Sequence, residues 1–380
     1  MNEEISYSRI LNESLGIFFK DALRVSLTNP SQARFFYRTV RWQKRAATLR
    51  AGLEQQGIHV PPIMIFSITN ECNLHCKGCY AQALRESSDA EVDDQKIRSI
   101  IAEARDLGIS LMVIAGGEPL VRKGFIDITK DFPEIIFLMF TNGLLLDDEL
   151  LAKLKAQKNV VPVISLEGYE ADTDGRRGAG VHERLRGVIG KLKKKGIFFS
   201  VSFTMTRQTF ETLTDREFIR SVTGSGCKLL FFLEYTPIKE GTEDWVLTDE
   251  QRAGVMTLIK AFRKEFRALF IAVPGDEEEI GGCLSAGRGF VHVSAAGDVE
   301  PCPFAPYSDV NLRKSSLKDA LQSEFLKAIR QNHEQLKETK GGCALWVERD
   351  WVRSLLDPGK CKDRTRKAES SPAKSSAMLP

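Results

Sequence analysis

Three cysteines, Cys72, Cys76 and Cys79, stand three and then two residues apart in the stretch SITNECNLHCKGCY. Thiolates this close on one short loop can converge on a single metal centre. A structural zinc site closes a tetrahedron with four protein ligands, and no fourth cysteine or suitably placed histidine follows closely. His75 lies inside the loop, but ligands at adjacent positions 75 and 76 are awkward. A cubane [4Fe–4S] cluster has four iron corners and is usually held by four thiolates. Three thiolates leave one iron open, and a cofactor chelated there can receive an electron. Zinc completed by a distant residue is the competing reading.

Other chemistry-bearing groups follow. Gly116-Gly117-Glu118-Pro119 combines glycines, which let a backbone approach a ligand closely, with a carboxylate able to pair with an ammonium group. Ser165 and Glu167 are two apart and share a strand face. Arg176 and Arg177 precede Gly178, and an arginine there can pair with a carboxylate. Thr141-Asn142-Gly143 is either a further site segment or a plain turn. Glu234 is either a substrate or cofactor contact or a structural carboxylate with an arginine partner. Beyond these lie Cys283, Cys302 and Cys343. Eight cysteines in a chain with no export signal point to metal or catalysis more than to disulfides, so the chain is expected in the cytosol.

These groups fall where a repeating architecture puts them. Strand patterns at 63–68, 110–117, 135–143, 160–168, 198–206 and 228–237 alternate with helical patterns, such as Ile97, Ile100, Ile101 and Ala104 on one face. Six strand–helix units predict an α/β fold with a parallel sheet, a partial (β/α)6 TIM-like barrel or an open doubly wound sheet. In both, the site lies at the carboxyl ends of the strands, and the polar and glycine-rich segments sit there. A helix is expected from Thr248, with Gln251 completing a capping box. The expected organisation is an N-terminal helical segment (1–60), a core (61–275), a small cysteine-containing extension (276–356) with two short strands about Ala296-Gly297-Asp298, and a disordered tail (357–380).

In the first segment, Asn29-Pro30 reads as the cap and first turn of a second helix. Eight basic residues, Lys20, Arg24, Arg34, Arg38, Arg41, Lys44, Arg45 and Arg50, face Asp21 alone between positions 20 and 50. This is either a peripheral contact with an anionic membrane or, more plainly, the solvated face of a helical pair packed on the core. The net charge of +3 gives no reason to expect nucleic acid, and no apolar run is long enough to cross a bilayer.

The Cys-x-x-x-Cys-x-x-Cys set after a first strand resembles the signature of the radical S-adenosylmethionine (SAM) superfamily. The resemblance implies that Cys72, Cys76 and Cys79 hold a [4Fe–4S] cluster whose unique iron chelates the methionine part of SAM. It further implies reductive cleavage of SAM to a 5′-deoxyadenosyl radical, fed by a donor such as flavodoxin or ferredoxin. Gly116, Gly117 and Glu118 match the family segment that holds the methionine amino group. Tyr80 would lie beside the adenine, and Ser165 and Arg177 would also contact the cofactor. Family members often carry Asp where this chain has Glu167, which leaves that residue's role open.

The extension is similar to SPASM/Twitch regions that bind auxiliary clusters, with Gly297 and Cys302 at the matching spacing. The resemblance makes Cys283, Cys302 and Cys343 ligands of a second iron–sulfur cluster. The fourth ligand is open between Cys361, Cys227 and none; an open iron would let substrate bind directly. A small zinc site or buried thiols are the alternatives. SPASM-type extensions accompany work on peptide or protein side chains, which is the first functional expectation. A small metabolite or lipid-like precursor is the second, and a non-catalytic electron carrier or sensor the third.

Overall fold

The structure, a computed structural model, describes residues 7–84, 90–275, 282–336, 343–356 and 362–363. The two helices expected in the first segment form as α1 (Tyr7–Val25) and α2 (Pro30–Glu54). Asn29 caps α2 by accepting from the Gln32 N–H, with Pro30 in the first turn. The strands are β1 (Ile63–Thr69), β2 (Leu111–Gly116), β3 (Ile136–Thr141), β4 (Val160–Ser165), β5 (Ser200–Met205), β6 (Leu229–Glu234), β7 (Leu269–Val273), β8 (Phe290–Val293) and β9 (Val299–Glu300). They form one sheet in the order β7-β6-β5-β4-β3-β2-β1-β8-β9, parallel throughout except for the β8–β9 hairpin. Helices such as Asp94–Asp106, capped by Asp93, and Asp249–Glu265, with the Thr248–Gln251 capping box, cover the outer face.

Alternation along each strand divides the burial between two cores. On β1, Met64, Phe66 and Ile68 point outward and join Ile97, Ile100, Ile101 and Ala104 of the covering helix. The residues between them, Ile63, Ile65 and Ser67, face the concave side. There the amino-terminal parts of the strands (Leu111, Ile136, Leu138, Val161, Val163, Leu229, Phe231) form a second core with Phe19, Ala22 and Val25 of α1 and Phe36 of α2. Phe36 meets Phe198 edge-to-face at 5.0 Å. The helical pair therefore seals the floor of the barrel.

That placement buries Phe19, Ala22, Val25 and Phe36 and leaves Arg34, Arg38, Arg41 and Arg45 exposed, together with Ile17, Tyr37 and Leu49. Arg50 departs from the expected basic face: it is buried, donates to the Gly108 carbonyl and to Asn12, and burial lowers its pKa to about 10. No helix among the described residues is long and apolar enough to cross a membrane.

The structure adds to the expected topology in three places. A seventh parallel strand, β7, follows the six expected units; it is short and, among the described residues, pairs with β6 alone. The β8–β9 hairpin forms about Ala296–Asp298 as expected, but β8 pairs in parallel with β1, so the sheet runs on through the boundary placed at 275/276. In the tail expected to be disordered, β11 (Lys362–Asp363) pairs antiparallel with β10 (Tyr307–Ser308). The rest of that tail, including Cys361, lies outside the described residues.

If the floor is held as described, Phe36→Ala should destabilise the protein by about 3–5 kcal/mol, the usual cost of emptying a buried aromatic site. Denaturant unfolding measures this directly.

Candidate active site

The loop carrying Cys72, Cys76 and Cys79 leaves the carboxyl end of β1 and is tied down on every side. The Gly117 N–H donates to the Thr69 carbonyl and the Glu118 N–H to the Glu71 carbonyl, both at 2.8 Å. Asn142 Nδ2 donates to Asn73 Oδ1 at 2.7 Å, Gln82 Nε2 to the Leu74 carbonyl at 2.8 Å, and the Lys77 N–H to the Arg176 carbonyl at 2.9 Å. Glycine at 116 and 117 is a steric requirement. Gly116 has φ of +109°, and a Cβ on either residue would overlap the carbonyl oxygen of Thr69 or Glu71. The glycines thus let the second strand's end press on the cysteine loop itself.

Glu118 is buried and its carboxylate is aimed by the end of β3. It accepts from Thr141 Oγ1 and from the Asn142 N–H, each at 2.7 Å, and from the Leu120 N–H at 3.1 Å. Burial nevertheless pushes its pKa up. A carboxylate has about four acceptor positions, and three donors leave room for an ammonium group. Thr141 and Asn142 are therefore more than a turn: they set this carboxylate's direction.

Glu167, whose role the sequence left open, anchors both arginines. It is fully buried and pairs with Arg176 and Arg177, and its Oε2 accepts from the Thr204 N–H at 3.1 Å. Burial would raise its pKa, but the two guanidiniums win and hold it below the ordinary value. Arg177, directed by this pair, brings Nη1 to 3.9 Å from Cys76 Sγ. Burial raises the pKa of the Cys76 thiol, and Arg177 and Arg176 oppose that rise. Cys72 is also raised, first by burial and then by Glu118, Cys76 and Cys79. Ser165 sits half-buried at the end of β4 on the concave side. Glu234 takes the structural alternative, accepting from Arg252 Nε at 2.9 Å.

The extension brings its cysteines together. Cys302 is buried, and hydrogen bonding with Cys343, burial and the proximity of Cys283 all push its thiol pKa up. Cys227 stands apart in the outer core, donating to the Leu229 carbonyl at 3.2 Å, and burial pushes its pKa up to about 12. Tyr80 follows Cys79 directly and packs edge-to-face on Phe304 at 4.9 Å, two residues past Cys302. Its hydroxyl is raised by burial, then by Cys79 and Cys302, so it stands between the two cysteine groups.

Above the sealed floor, the inward-facing Ile65, Val113, Ala115, Phe140 and Leu233 are only partly covered, and we read the concave side bordered by them as an open chamber. Ser165 and Thr204 border it on the β4–β5 side. On the β1 side is a group that sequence reading missed. Ser67 Oγ lies 2.8 Å from His292 Nε2, whose Nδ1 lies 2.7 Å from Glu300 Oε2. No spacing rule joins residues 67 and 292; only the pairing of β8 with β1 does so.

Among the described residues, no three His, Cys, Asp or Glu side chains are grouped as a single metal ion would need. A cubane takes each thiolate on a different iron and so accepts a wider set than one zinc does. The loop thiols fit that demand, with Arg177 close enough to offset a cluster's negative charge, and the buried Glu118 carboxylate has a position left for an ammonium group.

Replacing Glu167 by Gln should leave two largely buried guanidiniums without their carboxylate and cost about 3–5 kcal/mol at neutral pH. Because the folded pKa is depressed, the wild-type advantage exists above the unfolded carboxyl value of about 4.3 and is lost as pH falls through the folded value. Unfolding curves of both proteins at pH 7 and in acid check the size and the sign.

Comparison with known proteins agrees with this geometry. Residues 66–221 match the model of the radical SAM superfamily, and residues 283–344 match that of the SPASM iron–sulfur cluster-binding domain. The chain is 24% identical over 316 residues to the AdoMet-dependent heme synthase of Methanosarcina barkeri, covering 76% of this chain and 88% of that protein. It is 26% identical to the mycofactocin maturase MftC of Mycolicibacterium smegmatis, covering 66% of each. In fold it is similar to Streptococcus suis SuiB bound to the precursor peptide SuiA, with a TM-score of 0.61, 18% identity, and 82% of this chain and 75% of that one covered. Relatives that are synthases and maturases mark an enzyme, so the carrier or sensor reading falls away. Its cofactors are a [4Fe–4S] cluster and SAM, with further iron–sulfur binding in the C-terminal domain. The chain carries a radical SAM domain over residues 66–221 and a SPASM iron–sulfur cluster-binding domain over residues 283–344.

Proposed function

We propose that Cys72, Cys76 and Cys79 hold the SAM-cleaving cluster and that the enzyme takes a hydrogen atom from a bulky, largely apolar small molecule of the heme-precursor class. When bound, the reduced cluster and SAM supply a 5′-deoxyadenosyl radical. The protein's part is to bind and orient. Glu118, aimed by Thr141 and Asn142, accepts from the methionine ammonium of SAM, and Gly116 and Gly117 let the backbone lie close to it. Arg177, steadied by Glu167, balances negative charge beside Cys76. Ser165 offers a hydroxyl to the cofactor from the β4 side, and Tyr80 walls the cofactor from the extension. Cys283, Cys302 and Cys343 hold a second cluster. A small reducing protein of the flavodoxin or ferredoxin kind supplies the electron.

The observation that carries the substrate class is the chamber, with its floor sealed by α1 and α2 and walls of Ile65, Val113, Ala115, Phe140 and Leu233. Such a space suits a compact apolar body. The relatives that are heme synthases support the same class, because the likeness spans most of both chains. A peptide or protein side chain is the second reading; SuiB, which is similar in fold, binds the precursor peptide SuiA.

The anaerobically reconstituted and reduced wild type should convert SAM to 5′-deoxyadenosine. The Cys72→Ala, Cys76→Ala, Cys79→Ala triple variant should form none while keeping the iron of the extension. Product from the triple variant, or iron lost entirely from it, would overturn the ligand assignment.

A further inference from the structure

The hydrogen-bonded chain Ser67–His292–Glu300 joins two parts of the protein that the sequence keeps apart. Ser67 belongs to β1 of the barrel, whereas His292 and Glu300 lie on the β8–β9 hairpin of the extension. His292 is in register with Ile65, so its side chain emerges on the concave side, as do those of Ile65 and Ser67. All three are buried polar residues, with Ser67 8% exposed, the most open of them. Ser67 also lies directly against the cofactor-binding turn, because a Cβ on Gly116 would come within 3.3 Å of the Ser67 Cβ.

Three buried polar groups in a line cost more to bury than apolar ones unless each is satisfied. A purely structural tie between β1 and β8 has no need of one, since the backbone ladder already joins them. The chain does have a chemical consequence. Glu300 Oε2 at 2.7 Å from Nδ1 fixes the imidazole, and Nε2 at 2.8 Å from Oγ fixes the Ser67 hydroxyl beside the Gly116 turn. A hydroxyl held in this way is a preorganised partner for a substrate oxygen.

We infer that Ser67, His292 and Glu300 form a substrate-binding arm of the chamber wall, in which the Ser67 hydroxyl donates to a carboxylate of the substrate. This rests on the heme-precursor reading, since such macrocycles carry carboxylates at the rim of an apolar body. His292 and Glu300 are positioning residues that act through Ser67. The extension then does more than hold a cluster, for it completes the wall that orients the substrate below the cofactor.

The probe is Fe-coproporphyrin III, compared with its methyl ester, in which the carboxylates are masked. Each is titrated by absorbance into the cluster-loaded full chain. Wild type should bind the free acid about tenfold more tightly than the ester, the scale of one hydrogen bond to a charged group. Ser67→Ala and His292→Gln should each remove that preference without weakening ester binding. The double variant should lose no more than either alone, because the two act as one arm. A structural role would weaken acid and ester alike and lower iron content. Variants that keep the wild-type preference would overturn the arm and leave the substrate class standing. Wild type that binds neither form would overturn both.

Discussion

A parallel sheet whose strands are apolar on both faces must be covered twice, and that constraint organises this protein. Helices between the strands cover the outside. The inside cannot be filled by the strands' own side chains, because the barrel is open between β7 and β9. The helices α1 and α2 meet the need at the amino end, where Phe19, Ala22, Val25 and Phe36 bury the inward rows. At the carboxyl end no such helical cover is present among the described residues, and the same rows become chamber walls. One physical demand therefore yields both a sealed floor and an open mouth. The chemistry sits at the mouth because strand ends and their loops meet there.

Two buried carboxylates, one past the end of β2 and one past the end of β4, show how finely the mouth is set. Glu118 is held by neutral donors from Thr141, Asn142 and Leu120, and burial still raises its pKa. Glu167 is held by two guanidiniums and lies below its ordinary value. The first keeps acceptor capacity in reserve and the second uses its capacity to fix Arg176 and Arg177. Their difference places a positive group beside Cys76 and an acceptor on the far side of the loop. The loop is rigid for a related reason, since the Thr69 and Glu71 carbonyls accept from the Gly117 and Glu118 N–H groups and the loop's Lys77 N–H donates to the Arg176 carbonyl.

The extension is woven into this frame. Its hairpin continues the barrel sheet past β1, Tyr80 packs on Phe304 between the two cysteine groups, and His292 reaches Ser67. A change in the extension is thereby felt at the chamber wall through contacts of a few ångströms.

The sequence by itself determined the chemistry's identity and its general location. Cys72, Cys76 and Cys79 are close in the chain, so their grouping survives any fold that makes a loop after β1. The strand and helix periods, the Asn29 and Thr248 caps and the glycine turns are likewise local, and local signals are legible. The tertiary structure decided what depends on distant pairing. Arg177 faces Glu167 and Cys76, Arg50 is buried rather than solvated, Glu234 is paired with Arg252, and Ser67 finds a histidine 225 positions away. No periodicity encodes those partnerships, because a side chain's direction in a strand is fixed locally, whereas what it meets is fixed by which strand lies alongside.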